Sequence, residues 1–210
     1  MPDEEPELGP DPDPGPREGF DALVAAGTAA TGTDPIVARF ALGTELGGPL
    51  DGVLAYPGDG HWLLVTFGLT ELGPKRSRYP DVSGVGYELT MRTPRADDTV
   101  PPQWSINVLN DLARRVRTGM DLGPNDWLAT PGPIGGVAEN APLTGILVVF
   151  DPRLARLGTP NGTVDFLTVV GISTAEAAEA NAAGDSLPVL RRLLATSPLL
   201  VTDPRRPGRG

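Results

Sequence analysis

An α+β domain, a single mixed β-sheet packed against helices, is the fold class that this chain of 210 residues predicts. Short apolar runs of strand length are interleaved with stretches of helical periodicity, without the regular alternation of a βαβ series. The 24 Pro and 27 Gly approach a quarter of all residues, which excludes long helical arrays and coiled coils. A hydrophobic fraction of 40% is enough to build a sizeable core at this length.

Residues 1–17 form an acidic leader carrying Pro2, Pro6, Pro10, Pro12, Pro14 and Pro16. With no apolar face to offset ordering entropy, this leader is expected to be disordered. One folded domain is expected over residues 18–204, without linker or repeat, and residues 205–210 read as a disordered polar tail. Residues 20–30 and 35–42 read as helices, the second with Asp34 as N-cap and Pro35 at the first helical position. Residues 52–56 and 61–67 (HWLLVTF) follow as strands between Gly and Pro signals. Over residues 84–92 the alternation predicts a half-buried strand: Val85, Tyr87, Leu89 and Met91 inward, Gly86, Glu88, Thr90 and Arg92 outward. Pro101-Pro102 precede the strongest helix, residues 104–118, whose stripe of Ser105, Leu109, Leu112 and Val116 is flanked by Val108 and Ala113. Arg114, Arg115 and Arg117 end it, where cations are favoured. Residues 144–150 and 163–170 read as strands buried on both faces, with Asn161-Gly162 turning into the second. Ser173 and Glu176 have capping-box spacing for an Ala-rich helix, and Ser186 opens a final helix to residue 194, ahead of the apolar residues 199–201.

The formal net charge is −10, and seven of the acids lie within residues 1–20. Nucleic-acid binding draws its affinity from cations that displace condensed counterions, so nucleic acid is disfavoured as the principal ligand. A basic protein is attracted instead. The absence of Cys excludes disulfides, thiolate nucleophiles and Cys-ligated zinc. The start, Met1-Pro2-Asp3-Glu4-Glu5, is unlike a signal peptide, and no run approaches 18 apolar residues. A cytoplasmic location without a membrane partner is expected.

His61 is the only histidine, so any Ser–His or His–metal mechanism must use it. Opening an apolar strand beside Trp62, it reads as a hydrogen-bonded structural residue. No G-x-S-x-G or phosphate-loop signature is present. Asp97-Asp98, and Asp121 with Asp126, are available as carboxylate pairs, but in Pro/Gly-rich loops such acids are normally solvated. Asp11-x-Asp13 lacks the Gly and terminal Glu of a calcium loop. No catalytic residue, cofactor site or metal site is therefore expected. Trp62 and Trp104 are assigned to the core, whereas Trp127, beside Asp126 in the loop LGPNDWLATPGPIGG, suits a contact surface.

Six segments in order, PLDGVLAY, HWLLVTFGLTEL, SGVGYELTMR, PPQWSINVLNDLARRV, GTPNGTVDFLTVVGIS and PLLVTDPRR, resemble the Suppressor of fused family in its bacterial, single-domain form. The resemblance runs over about residues 20–206 and is most specific at His61-Trp62, Gly86-Tyr87-Glu88-Leu89-Thr90, Leu112-Ala113-Arg114 and Thr159-Pro160-Asn161-Gly162. It implies the fold of the N-terminal domain of that family and a binding role rather than catalysis. Animal members are two-domain regulators that sequester Gli-type transcription factors of Hedgehog signalling. Bacterial members belong to polymorphic toxin systems, where an immunity role is expected. The Gli role is not expected to carry over, since a second domain completes the animal peptide cleft and this chain is expected to correspond to the N-terminal domain alone. The aromatic that follows the Leu-Ala-Arg motif in animal members is replaced by Arg115, which as a bare helix-end cation would simply be solvated. The acidic loop position of those members is similar to Asp126.

The expected partner-binding residues are Arg115, Asp121, Asp126 and Trp127, the acids steering a basic toxin domain and Trp127 anchoring it. An intracellular regulatory or scaffold domain is the alternative function, and a hydrolase using His61 or an acid pair is a third.

Overall fold

The computed structural model describes residues 17–40, 43–96, 98–136 and 141–207. Nearly all of the acidic leader, Asp97 and the last three residues of the tail lie outside them. The elements are α1 (Glu18–Thr31), β1 (Ile36–Arg39), β2 (Gly52–Pro57), β3 (His61–Phe67), β4 (Val82–Pro94), α2 (Gln103–Arg117), β5 (Trp127–Ala129), β6 (Leu143–Phe150), β7 (Leu157–Thr159), β8 (Gly162–Ser173), α3 (Thr174–Ala183) and α4 (Leu187–Thr196). Single 3-10 turns lie at Thr44–Leu46 and Ile134–Gly136. The strands form one sheet in the order β1-β2-β3-β4-β8-β6-β5, with β7 added to β8. The β4–β8 pair is parallel and the others antiparallel, so the sheet is mixed, as the sequence predicts.

Period-two alternation along each strand sends side chains to two separate cores. Val53, Ala55, Trp62, Leu64, Leu89, Met91 and Val148 pack against Leu109, Leu112 and Val116 of α2. On the other face Leu54, Tyr56, Leu63 and Val65 meet Phe20 and Leu23 of α1. Farther along that face Leu147, Val149, Val170 and Ile172 meet Ala180 of α3 and Val189 and Leu193 of α4. The sheet is thus the middle of three layers.

This layering corrects the half-buried reading of β4. Between β3 and β8, and covered on both sides, the strand buries its polar side chains: Glu88 and Thr90 are 0% exposed and Arg92 1%. Each has a partner, as buried polar groups require. Arg92 forks onto Asp151 at 2.7 and 2.9 Å, and Thr90 donates to the same carboxylate at 2.7 Å. Glu88 accepts from the Thr66 hydroxyl at 2.6 Å and from the N–H groups of Gly68 and Thr70 at 3.1 and 2.8 Å.

Residues 36–39 are strand rather than helix. Gly32 ends α1 in the left-handed region, at φ 73°, and Ile36–Arg39 then pair antiparallel with residues 52–55. Sheet pairing and the β-branched Ile36-Val37 override the capping signal of Asp34-Pro35. The chain also stays docked past residue 204: Arg206 forks onto Glu176 with both contacts at 2.7 Å. Thr202 bridges the ends of β4 and β8, donating its N–H to Arg92 O at 2.8 Å and accepting Gly171 N–H on its hydroxyl at 3.0 Å. A Cβ on Gly171 would stand 2.7 Å from Thr202 Cγ2, which is why a strand interior carries glycine there.

Candidate functional site

Strand β5 closes one end of the sheet and, among the described residues, pairs only with β6. Its ladder bonds are made by alternate residues: Val148 N–H donates to Asp126 O at 2.8 Å, and Thr130 N–H to Thr144 O at 2.9 Å. In this antiparallel register the N–H and C=O groups of Trp127 and Ala129 turn to the open side. Beside the edge runs a groove of about 510 Å³ with an apolar floor of Val108, Leu112, Leu128, Ile134 and Ile146. Asn107, Asn110, Asp111 and Arg115 form its polar rim.

The groove follows from local sequence. The apolar stripe of α2 seats that helix on the sheet, leaving Asn107, Asp111 and Arg115 outward along the groove. The opposite wall is residues 130–136, held by the 3-10 turn. Gly135 adopts φ 61°, and a Cβ there would lie 2.4 Å from Trp104 O, so only glycine lets this turn lie on the first turn of α2.

The four residues singled out from sequence do not converge. Arg115 is exposed and lines the groove. Asp121 and Asp126 are exposed and lie outside it. Asp126 accepts Gly123 N–H at 2.7 Å. Both acids act on Tyr87, whose hydroxyl is pushed up to about 12, first by burial and then by their charges. Trp127 is in strand β5 rather than in a loop, half-buried, with its indole on the opposite face: Nε1 donates to Asn181 Oδ1 of α3 at 2.9 Å. Leu128, Ile134, Ile146 and the outward backbone of Trp127 and Ala129 were missed by sequence reasoning. A strand of three residues is too short to show alternation, and loop composition hides it.

His61 has a local partner: Nδ1 donates to Asp59 O at 2.8 Å. Glu88 has a carboxyl pushed up to about 7 by complete burial, opposed by its hydrogen bonds to Thr66, Thr70 and Gly68. Perturbed carboxyls mark functional candidates, but these contacts go to the turn after β3, so Glu88 anchors that turn. Asp151 runs the other way. Burial raises its carboxyl, yet the Arg92 fork, Thr90 and the Arg153 N–H outweigh burial and hold it below the usual range. Among the described residues no group of three or more His, Asp or Glu is placed to hold a metal ion, and no helix is long and apolar enough to cross a membrane.

Fold and groove together define an α+β domain that offers a free sheet edge beside an apolar, polar-rimmed channel. Residues 48–207 match the family model of the Suppressor of fused protein (SUFU), and the chain belongs to that family. It is 33% identical over 182 residues to the Suppressor of fused homolog of Homo sapiens, a match covering 77% of this chain and 37% of that protein. The Mus musculus homolog matches to the same extent. The chain thus spans little more than a third of the length of these relatives. Among solved structures it superposes on the Sufu–Fu complex with a TM-score of 0.80 at 28% identity, covering 91% of this chain and 92% of that one. Drosophila Suppressor of Fused gives the same score and identity, with 51% of its chain covered.

Proposed function

We propose that this chain is a non-enzymatic protein-binding module that takes an extended segment of its partner as an added strand on β5. The observation that carries this reading is the open edge at Trp127 and Ala129 beside the groove. Strand addition of this kind draws affinity from main-chain hydrogen bonds and specificity from pockets for alternate side chains. The floor of Val108, Leu112, Leu128, Ile134 and Ile146 supplies such pockets, and Arg115 is placed to meet a carboxylate. The net charge of −10, with Asp111 on the groove rim and Asp126 just before the edge strand, favours an otherwise basic partner.

The finer reading is an immunity protein that occupies a basic toxin domain. A regulatory chain that sequesters another intracellular protein would use the same surface. One structural neighbour is a complex of Sufu with Fu, which supports protein binding by this fold.

Ala129→Pro tests the mode of binding, because it removes an outward N–H and no ladder bond. A partner recovered from native lysate is expected to bind this variant at least about tenfold more weakly, one or two lost hydrogen bonds. Equal binding by the variant removes strand addition. Survival of cells co-expressing the partner with this chain, and death without it, separates immunity from regulation.

A further inference from the structure

A second cleft, of about 390 Å³, lies on the opposite face of the sheet. Its walls are the last turn of α1, residues 29–31, and Leu199 in the segment after α4; His61, Arg92 and Arg153 complete it. Three nitrogen-bearing side chains therefore share one lining that contains no carboxylate, in a chain whose net charge is −10.

Arg92 supplies the fixed point. Its Nη1 and Nη2 are taken end-on by Asp151, while its Nε is buried without a partner among the described residues. A guanidinium held end-on by one carboxylate keeps its side fork, Nε with the outer Nη2 hydrogen, for a second oxyanion. Asp151 itself is saturated, taking Thr90 and the N–H groups of Arg153 and Leu154 besides Arg92. A buried ion pair is weak as a stabilising device, since an apolar pair of similar volume commonly does as well. Its place beside a cleft accords with a role in presenting the guanidinium. Arg153 is exposed, and its side chain makes no hydrogen bond or ion pair among the described residues. The last turn of α1 adds partial negative charge to one wall and Asp151 balances the charge of Arg92, so the net attraction rests on Arg153, and Arg92 adds a directional Nε–H donor.

We propose that this cleft is a binding site for a small oxyanion, a phosphate or carboxylate group held between Arg153 and Arg92 with His61 alongside. The site is separate from the β5 edge, and either can fail without the other.

The test is a titration of the full chain with inorganic phosphate, and separately with acetate, at low chloride, read by the arginine Nε–H and histidine side-chain resonances. Saturable shifts at Arg92 and Arg153 are expected. Arg153→Ala, an exposed position whose loss leaves the fold intact, should weaken binding about tenfold, the worth of one charge-assisted contact. His61→Gln should weaken it less, and Arg114→Ala, exposed on α2 across the sheet, should change it by less than about twofold. Tighter binding of phosphate identifies a phosphate-bearing ligand, tighter binding of acetate a carboxylate, and either supports the site. Shifts that rise without saturation, or Arg153→Ala binding as tightly as the unaltered chain, would overturn it.

Discussion

Arg92 and Glu88 show how a single side chain depends on the layer above it. Both occupy the polar half of a clean alternation, and on one strand viewed alone that pattern means solvent. What buries them is tertiary and no local window displays it: the turn after β3 wraps the Glu88 carboxyl, and Asp151 with the segment after α4 closes over Arg92. Breaking the Arg92–Asp151 pair on one side should be severe: Asp151→Ala is expected to cost about 3–5 kcal/mol in denaturant unfolding. The double replacement Arg92→Met with Asp151→Leu should cost far less, because no unpaired charge is left behind. Acid and base limits follow from the carboxyls. Asp151, Glu176 and Glu71 all sit below their ordinary values in the folded chain, so the stability they add is present near neutrality and lost as pH falls through and below the carboxylate range. Glu88 has the opposite sign. Raised from 4.5 to about 7, it favours the folded state when neutral, and that contribution fades as pH rises from about 4.5 through about 7. The amount is on the order of 3 kcal/mol. Glu88→Gln should flatten this limb of a stability-against-pH curve, and an unchanged slope would remove Glu88 as its source.

Elements differed in how far their own residues specified them. The stripe of α2 was legible because seven buried positions, from Ser105 to Val116, repeat at helical spacing over a full-length helix. The box at the start of α3 was legible too: Ser173 and Glu176 make the reciprocal bonds their spacing predicts. Ser173→Ala should cost about 1 kcal/mol. Strands β1 and β5 were not legible, since four and three residues hold too little pattern and their pairing with β2 and β6 decides them. Of the candidate site, sequence reached Arg115 through its place after Leu-Ala-Arg, and it reached Trp127 without the face that its indole takes. Glycine in α1 is a further tertiary effect. A Cβ on Gly27 would lie 2.2 Å from Tyr56 Cζ, inside the core. Gly27→Ala should therefore lower stability by about 1–3 kcal/mol through overpacking, although alanine gains about 1 kcal/mol in helix propensity. A rise in Tm would show that the ring yields.

At the scale of the whole molecule, three layers leave the sheet two open ends, β1 and β5, and β5 runs beside the groove. The Suppressor of fused family supplies the fold, and the groove supplies a reason for a partner to dock at that end. Charge adds direction. Part of the −10 resides in residues 1–20, but Asp111 on the groove rim and Asp126 next to Trp127 place acid around the β5 end of the domain, so faster association at low salt is expected for a basic partner. The most direct measurement is amide hydrogen exchange at β5, with and without the partner. Strand addition predicts that Trp127 and Ala129, whose N–H groups face outward, exchange freely in the isolated chain and become protected in the complex, while Leu128, already held by β6, changes little. Exchange at Trp127 and Ala129 that stays fast in a fully formed complex would contradict the account.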